Sequence, residues 1–311
     1  MEKQFASDVI EGLTSTPKYI PSKYFYDKKG DHLFQKIMHL DEYYLTQSEY
    51  EIMDTYKEHF LSLFSTGCKK FNLVEFGAGD GYKTKVLLKH FLDKEAAFNY
   101  VPIDISANVL RLLEASLQKE LPDLRVKSIQ DDYFKALTQL ENNGTRQVIL
   151  FLGSNIGNFS SEDAKAFLDG LYHGLEPNDL VLIGFDLKKD PHVILKAYDD
   201  SEGVTRAFNF NLLERINREL NANFDLSKFK HFPSYNPETG KTQSFLISKE
   251  RQQVKIGDQE IDFYPWESIH TEISQKFSML DVSTLALQSG FTIAQNFYDE
   301  KSYFVNSVWR R

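Results

Sequence analysis

The chain has 311 residues, of which 41% are hydrophobic and 26% are charged, a composition typical of a globular protein that buries a core. Its formal net charge is −9, and it has no basic block of the kind that nucleic-acid binding usually needs, so we expect no DNA or RNA partner. Cys68 is the single cysteine, and the start, Met1–Phe5, lacks the apolar run of a signal peptide,. We therefore expect a cytoplasmic protein with no membrane partner. The oligomeric state stays open, with a monomer as the expectation.

In chain order, the first 60 residues have mostly helical patterns and many aromatic side chains. From residue 72 onward, apolar runs alternate with helical patterns. The predicted strands are 72–76, 100–105, 124–129, 147–152 and 180–185, and the predicted helices between them include 83–92 and 107–120. Continuous apolar runs such as 147–152 are typical of strands buried on both faces. This alternation predicts a doubly wound α/β sheet.

The region after this sheet changes character. It begins with a helical pattern over 213–220 and continues with strand patterns, including a hairpin that turns at Gly257-Asp258,. The tail returns to strand-like runs at 291–297 and 303–309. We predict that 1–60 and 196–278 form a second α+β domain, while 61–195 and 279–311 form the sheet domain.

The segment Val74–Gly81 (VEFGAGDG) carries the sharpest local motif, because a glycine turn follows a strand and precedes a helix,. Glycine lets the backbone turn tightly and approach a ligand closely. The spacing is G-x-G-x-G, whereas a dinucleotide fingerprint is G-x-G-x-x-G, and Tyr82 occupies its third position,. The loop therefore favours the methionine and ribose part of S-adenosylmethionine. A plain tight turn and an NAD site with a degenerate third glycine remain as alternatives.

Acidic residues follow the next two predicted strands. Asp104 ends the second strand, where a carboxylate can accept hydrogen bonds from a ribose diol,. Asp131-Asp132 follow the third strand, along the edge where this kind of sheet normally meets an adenine ring. The alternatives are a helix cap before Ser106 for Asp104 and a solvated loop for Asp131-Asp132.

Motifs for other chemistries are missing from the sequence. It contains no phosphate loop of the G-x-x-x-x-G-K-[ST] type, no G-x-S-x-G elbow and no H-E-x-x-H helix,. The eight histidines show no metal-ligand spacing, and Cys68 has no second cysteine to pair with,. We expect no metal.

Six further segments resemble the histidine N-alpha-methyltransferase family, whose best-known member trimethylates histidine to hercynine in ergothioneine synthesis. The resemblance covers nearly the whole chain. Its segments are Lys23–Gly30, Asp41–Thr46, Phe151–Phe159, Ala197–Asp200, Gly203–Asn209 and Ile269–Ser274.

The resemblance implies a Rossmann-like class I methyltransferase sheet, a second α+β domain formed by the N-terminus and an insertion, and S-adenosylmethionine as cofactor. It also implies a free amino acid as substrate, most specifically histidine methylated on its α-amine. The residues it assigns to the cofactor are Gly77, Gly79, Lys83, Asp104 and Asp132. It assigns Asn158 and Tyr198 to the substrate carboxylate, and it places Gly153 and Tyr26 near the substrate amine. The residues it assigns to the imidazole are Tyr43, Glu272 and Ser274.

Each substrate assignment has a structural alternative. The three tyrosines can be packing aromatics, and Asn158 can cap the helix that begins near Ser160. Glu272 and Ser274, two apart in a strand, share one face and can simply face water,. The resemblance favours the site in each case, with Tyr26, Asn158 and Tyr198 closest to the chemistry.

One departure from the family bears on the substrate. Histidine-specific members carry Arg-Ile-Glu-Met where this chain has Lys241-Thr242-Gln243-Ser244. Ser244 replaces a large flexible side chain with a small polar one at a position that lines the side-chain pocket. A different amino acid or a small amine is therefore an alternative substrate. Two further alternatives do not depend on Ser244: an NAD-dependent dehydrogenase, which the glycine spacing disfavours, and a cofactor-binding protein without catalysis.

Overall fold

The computed structural model describes residues 2–139 and 144–311. Its α-helices are α1 (Glu2–Thr14), α2 (Lys28–Ile37), α3 (Tyr44–Ser65), α4 (Thr84–Asp93), α5 (Ala107–Glu120), α6 (Tyr133–Thr138), α7 (Ser161–Gly174), α8 (Pro191–Lys196), α9 (Val204–Leu220) and α10 (Met279–Gln288). Its strands are β1 (Lys18–Tyr19), β2 (Phe71–Phe76), β3 (Phe98–Asp104), β4 (Ile129–Gln130), β5 (Arg146–Phe151), β6 (Leu180–Asp186), β7 (Phe229–Asn236), β8 (Lys241–Ser248), β9 (Gln252–Ile256), β10 (Gln259–Phe263), β11 (Ser268–Gln275), β12 (Thr292–Tyr298) and β13 (Phe304–Arg310).

The chain divides into two units. We call Leu45–Lys188 with Lys276–Arg311 the sheet unit, and Met1–Tyr44 with Lys189–Gln275 the second unit. The first division falls at Leu45 and so differs from the predicted boundary at residue 60. The reason is that α3 buries Ile52, Met53 and Phe60 in the same apolar cluster as the strands of the sheet unit.

The sheet unit is built on seven strands in the order β12-β13-β6-β5-β2-β3-β4. Strands β2 to β6 run parallel to one another, while β13 is antiparallel both to β6 and to β12. The central strand β2 leads to β3 and β4 on one side, and β5 and β6 continue on the other. This order confirms the predicted doubly wound, Rossmann-like sheet,.

Both faces of this sheet are buried, which explains the continuous apolar runs. Ile149 and Ile183 pack on one face in a cluster with helix α7. Leu150 and Leu182 pack on the other face with helices α3 and α4. Each side chain of this size contributes about 1.5–3 kcal/mol through burial.

Two elements differ from the sequence prediction. The strand predicted over 124–129 is reduced to β4 and a single parallel bridge between Val126 and Tyr100, at the edge of the sheet where only one neighbour is available for pairing. Helix α10 forms in a stretch with no predicted element. It is started by a capping box in which Ser278 and Asp281 satisfy each other's backbone N–H groups,.

The second unit contains a four-stranded sheet in the order β1-β11-β8-β7 and the hairpin β9-β10, with the left-handed Gly257 in the predicted turn. Helix α9 buries Phe208 and Leu212 in a cluster with Leu246 of β8 and Ile269 of β11. The pairing of β11 with β8 shifts register between His270 and Glu272. Such a β-bulge changes which face of the sheet the following side chains occupy.

Candidate functional site

The glycine turn after β2 has the conformation that its sequence demands. Gly77, Gly79 and Gly81 have φ angles of 67°, 56° and 67°, in the left-handed region that glycine adopts without strain. The N–H of Gly77 donates to the carbonyl oxygen of Ile103, at 2.9 Å, which ties the turn to the end of β3. A Cβ at Gly77 would lie 3.1 Å from the hydroxyl of Tyr133. The turn therefore presents bare backbone at the carboxyl end of the sheet.

Asp104 lies at the end of β3 beside this turn. Burial raises the pKa of its carboxyl group, while backbone N–H groups of Ser106 and Gly79 act in the opposite direction. Ser106, whose hydroxyl accepts from Val109 N, caps helix α5, so the alternative of Asp104 as the cap is wrong. The side chain of Ile105 is 73% exposed directly after Asp104. An acidic group beside an exposed apolar one suits a ribose diol next to a flat ring.

Asp132 is the N-cap of helix α6. Its carboxylate accepts from Lys135 N at 3.0 Å and pairs with the Lys135 ammonium at 2.9 Å, and the hydrogen bond from the Lys135 side chain lowers its pKa. A cavity of about 360 Å³ lies next to it, with an aromatic lining that includes Tyr133, Phe159 and Phe167. Asp132 thus has a structural role at the helix and also borders a space of suitable chemistry for a flat ring.

Beneath the turn, Glu75 of β2 is a buried carboxylate. It accepts hydrogen bonds from the hydroxyl groups of Thr84, at 2.6 Å, and Tyr100. Burial raises its pKa to about 7, against these two hydrogen bonds. The network connects β2, β3 and the start of α4, and so fixes the turn from below.

The loop after β5 is a second turn at the same edge of the sheet. Gly153 and Ser154 both have left-handed φ angles, 73° and 55°, and the Ser154 hydroxyl accepts from the backbone N–H of Asp186 at 3.0 Å. A non-glycine residue in this region is strained and is typical of functional loops. Asn158 ends the short 3-10 helix that follows, with its side chain exposed. Ser160 caps α7, so the alternative of Asn158 as that cap is wrong.

Glu49, a residue outside the sequence motifs, connects Lys83 in the turn after β2 with Gly153 in the turn after β5. The Lys83 ammonium pairs with Glu49 Oε2, and the same oxygen accepts from the N–H of Gly153 at 2.8 Å. Glu49 lies on α3 and has a fully buried side chain. The available signal in the sequence was its spacing from Leu45, Ile52 and Met53, which places a charged residue on the apolar face of a helix,.

In the second unit, the structure brings Ser244, Glu272 and Ser274 together on one face of a sheet. Ser244 pairs with Glu272, and Thr242 pairs with Ser274. The Ser244 hydroxyl and Glu272 Oε2 are 3.5 Å apart, and Ser244 and Ser274 are buried. This face therefore carries a row of hydroxyl groups and a carboxylate that can hydrogen-bond a polar ring.

The bulge in β11 produces this row. In regular pairing, Ile269 and Thr271 would share a face and Glu272 and Ser274 would lie on the other. After the register shift, Glu272 pairs with Ser244 just as Ile269 pairs with Leu246, so Glu272 and Ser274 occupy the same face as the buried side chain of Ile269. The alternative that both side chains simply face water is wrong for Ser274, which is only 4% exposed.

The three candidate tyrosines have different surroundings within the second unit. Tyr26 makes edge contacts with Phe34 and Phe208, yet it is 49% exposed. Tyr43 contacts Phe34 edge-on at 6.3 Å between ring centroids. Tyr198 is buried shortly after α8. Tyr26 therefore combines packing contacts with an exposed surface, whereas Tyr198 is enclosed.

Among 2–139 and 144–311, no group of three or more His, Cys, Asp or Glu side chains has the arrangement to hold a metal ion. None of the helices in the same residues has the length and apolar character to cross a bilayer.

Comparison with known proteins shows the family to which this chain belongs. Residues 5–311 match the family model described as histidine-specific methyltransferase, SAM-dependent. The histidine N-alpha-methyltransferase of Mycolicibacterium smegmatis is 37% identical over 91% of this chain and 87% of its own length. The protein of the same name from Mycobacterium tuberculosis is 38% identical over 87% and 83%. A more distant relative, the L-tryptophan methyltransferase of Psilocybe serbica, is 25% identical over 95% and 90%. The chain therefore belongs to the family of histidine-specific, S-adenosylmethionine-dependent methyltransferases.

Proposed function

We propose that this protein transfers methyl groups from S-adenosylmethionine to the α-amine of free histidine, ending at the trimethylated betaine. The observation that carries the choice of histidine is the row of Ser244, Glu272 and Ser274 on one face of the second unit's sheet. An imidazole has one N–H donor and one ring-nitrogen acceptor in its neutral form. A carboxylate beside hydroxyl groups matches both, and a pocket that hydrogen-bonds its substrate discriminates far better than one that only fits it.

The residues around the glycine turn fit the cofactor. Gly79 has open space beside its backbone, since a Cβ there would meet nothing within 4 Å, and Gly77 continues the same bare turn. Asp104 accepts from the ribose diol, and Asp132 borders the aromatic cavity suited to adenine. The sulfonium supplies a methyl group that is already activated. The work of the protein is therefore to align the acceptor nitrogen with that methyl group and to exclude water.

The substrate amine has to enter the reaction in its neutral form. Tyr26, Asn158 and Tyr198 are proposed to orient its lone pair and pass the proton outward, and Asn158 and Tyr198 also bind the carboxylate. Gly153 lies near the amine and Tyr43 near the imidazole. No dedicated strong base is needed, because the departing proton can pass to solvent through hydroxyl groups. Three rounds on one nitrogen require space beside the amine while the carboxylate stays fixed.

A different amino acid is the second candidate. Ser244 stands where histidine-specific members carry methionine, and it is fully buried beside Thr242. A small side chain at this point enlarges the space next to Glu272. The relative named for L-tryptophan gives the chemistry of that alternative, a larger ring on the same α-amino acid. Glu272 can accept from the N–H of either ring, but the hydroxyl groups of Ser244 and Ser274 favour histidine, because an imidazole has a ring nitrogen that accepts a hydrogen bond and an indole has none.

The test is methyl transfer across the twenty free amino acids and histamine, read by mass spectrometry. Turnover of histidine alone, with the trimethylated product accumulating, is the expected result. Turnover of a different amino acid would move the substrate and keep the fold, cofactor and reaction. If no amino acid were methylated while S-adenosylmethionine still raised the melting temperature, the protein would be a cofactor-binding protein without this catalysis.

A further inference from the structure

Glu49 on helix α3 is a buried carboxylate at the point where the strand order of the sheet reverses. The chain proceeds from β2 to β3 on one side, and β5 lies on the other side of β2. Ligands of open α/β sheets bind outside the carboxyl ends of the strands at such a switch point. Lys83 belongs to the loop after β2, and Gly153 to the loop after β5. Glu49 contacts both.

One oxygen atom of Glu49 makes these two contacts. Oε2 accepts from the Lys83 ammonium and, at 2.8 Å, from the backbone N–H of Gly153. The Glu49 side chain is fully buried, whereas 20% of the Lys83 side chain is exposed. Part of the lysine side chain therefore stays accessible while the buried carboxylate binds its ammonium.

The sheet is shaped to admit this carboxylate. A Cβ at Gly184 of β6 would lie 2.3 Å from Glu49 Oε1, so a larger residue there would displace the acid. Within the part of the chain that the structure describes, Oε1 and both side-chain polar atoms of Asn306 are buried without a hydrogen-bond partner. Asn306 pairs with Gly184 across the sheet. A buried carboxylate loses its hydration, and an ion pair offsets that loss only when the remaining lone pairs are also satisfied. Because Oε1 has no such partner among the described residues, we look for a role of Glu49 beyond packing.

We propose that Glu49 is a positioning residue for both ligands: it holds the Lys83 ammonium for the cofactor and the Gly153 turn for the amino-acid substrate. The proposal rests on the proposed function for the identity of those ligands. Glu49 does not touch either ligand itself. Its role is to make the loop after β2 and the loop after β5 share one anchor.

Two substitutions separate the two contacts. Glu49→Ala removes both, so we expect the Kd for S-adenosylmethionine and the KM for histidine each to rise about tenfold, the effect of losing one hydrogen bond to a charged group. Glu49→Gln keeps an oxygen for the Gly153 N–H but removes the charge that holds Lys83. It should raise the cofactor Kd about tenfold and leave the KM for histidine within about threefold of the wild type. Calorimetry with S-adenosylmethionine and steady-state kinetics with histidine measure the two quantities.

Glu58→Gln is the matched control, because Glu58 lies on the same helix and its ion pair with Lys94 is exposed. It should change neither quantity. A melting temperature for each variant shows whether it is folded. If folded Glu49→Gln binds the cofactor as tightly as the wild type, the proposal is overturned. If Glu49→Ala lowers only the melting temperature, Glu49 is structural and the proposal is also overturned.

A double variant tests the path through Lys83. In a Lys83→Met background, Glu49→Gln should add less than about twofold to the cofactor Kd, since the two residues act through one contact. A full tenfold addition would contradict the role of Lys83. The cofactor measurements do not depend on the amino acid. If the wild type methylated no amino acid, the proposed function would fail while the effect of Glu49 on cofactor binding could still be read.

Discussion

The two units encode their candidate residues in different ways. In the sheet unit, the residues assigned to the cofactor follow strand ends, and the glycine turn has the left-handed φ angles that its spacing predicts. In the second unit, Ser244 and Glu272 come from strands β8 and β11 and meet only through register and a bulge. A strand-end loop is a local feature of the chain, whereas a cross-strand row exists only after the sheet has paired. The first kind of site can be recognised from the local pattern of the sequence, whereas the residues of the second kind could be named only through the family resemblance.

The units also differ in their buried titratable groups. In the sheet unit, burial raises the pKa of Glu75 to about 7. In the second unit, burial lowers the pKa of His231 to about 4, and His231 Nε2 has no hydrogen-bond partner among the described residues. Burial favours the neutral form of both groups. For Glu75 this makes the free energy of unfolding fall as pH rises, and for His231 it makes the free energy of unfolding fall as pH decreases.

The largest expected effect is on this pH dependence. Glu75 has a pKa of about 7 in the folded state and 4.5 as its usual value, so the folded state binds more protons between these values. The neutral carboxyl group therefore contributes to the free energy of unfolding below pH 4.5, and this contribution, about 3 kcal/mol, is lost as pH rises toward 7. In the Glu75→Gln variant, the free energy of unfolding should not show this decrease with rising pH. Urea unfolding of wild type and variant from pH 4.5 to 7.5 measures the difference.

His231→Phe is the counterpart in the second unit. The neutral histidine contributes stability that is present above pH 6.5 and lost as pH falls toward 4,. In the His231→Phe variant, the free energy of unfolding should therefore not show the decrease that His231 causes as pH falls from 6.5 toward 4. The decrease removed by Glu75→Gln occurs instead as pH rises. Equal pH profiles for the two variants would contradict the contrast between the units.

The next effect in size is on cofactor binding by the sheet unit. Asp104→Ala removes the carboxylate that we assign to the ribose diol, and two hydrogen bonds to a charged group should be worth about 100-fold in the Kd for S-adenosylmethionine. Asp169→Ala on α7, whose carboxylate makes an exposed pair with Lys165, is the control and should bind normally. Calorimetry gives both values, and normal binding by Asp104→Ala would exclude its assignment.

A smaller effect is expected for the side-chain row of the second unit. Glu272→Ala should raise the KM for histidine about tenfold and reduce the preference for histidine over other amino acids, with the cofactor Kd unchanged. Glu260→Ala on the exposed side of β10 is the control. Competition between amino acids, followed by mass spectrometry, reads the preference. An unchanged preference would rule out the imidazole role of Glu272.

The smallest effect concerns the bulge itself. The Thr271 hydroxyl lies 2.7 Å from Asn209 Oδ1 and 3.0 Å from the carbonyl oxygen of Ser244. Thr271→Val keeps the shape but leaves the buried Asn209 unsatisfied, which should lower the free energy of unfolding by about 1 kcal/mol. Thr292→Val on the exposed face of β12 should change it by less than about 0.5 kcal/mol. Equal stability of the two variants would show that the hydroxyl does not support the bulge.

Much of the fold was predictable because it depends on local chemistry. The continuous apolar runs of β5 and β6 identify strands buried on both faces, and the glycines at 77, 79 and 81 identify the turn that follows β2. The family resemblance supplied the candidate residues of both units. The sequence by itself thus determined the fold class, the family and the position of the glycine turn.

Tertiary structure alone decided three things. It moved α3 into the sheet unit through Ile52 and Phe60, and it turned Glu272 and Ser274 to the face of Ser244 by a one-residue register shift. It also placed Glu49 under Lys83 and Gly153, residues 34 and 104 positions further along the chain. The physical reason is common to all three: each depends on pairing or packing between distant segments, where a single residue of register or one helix face changes every contact.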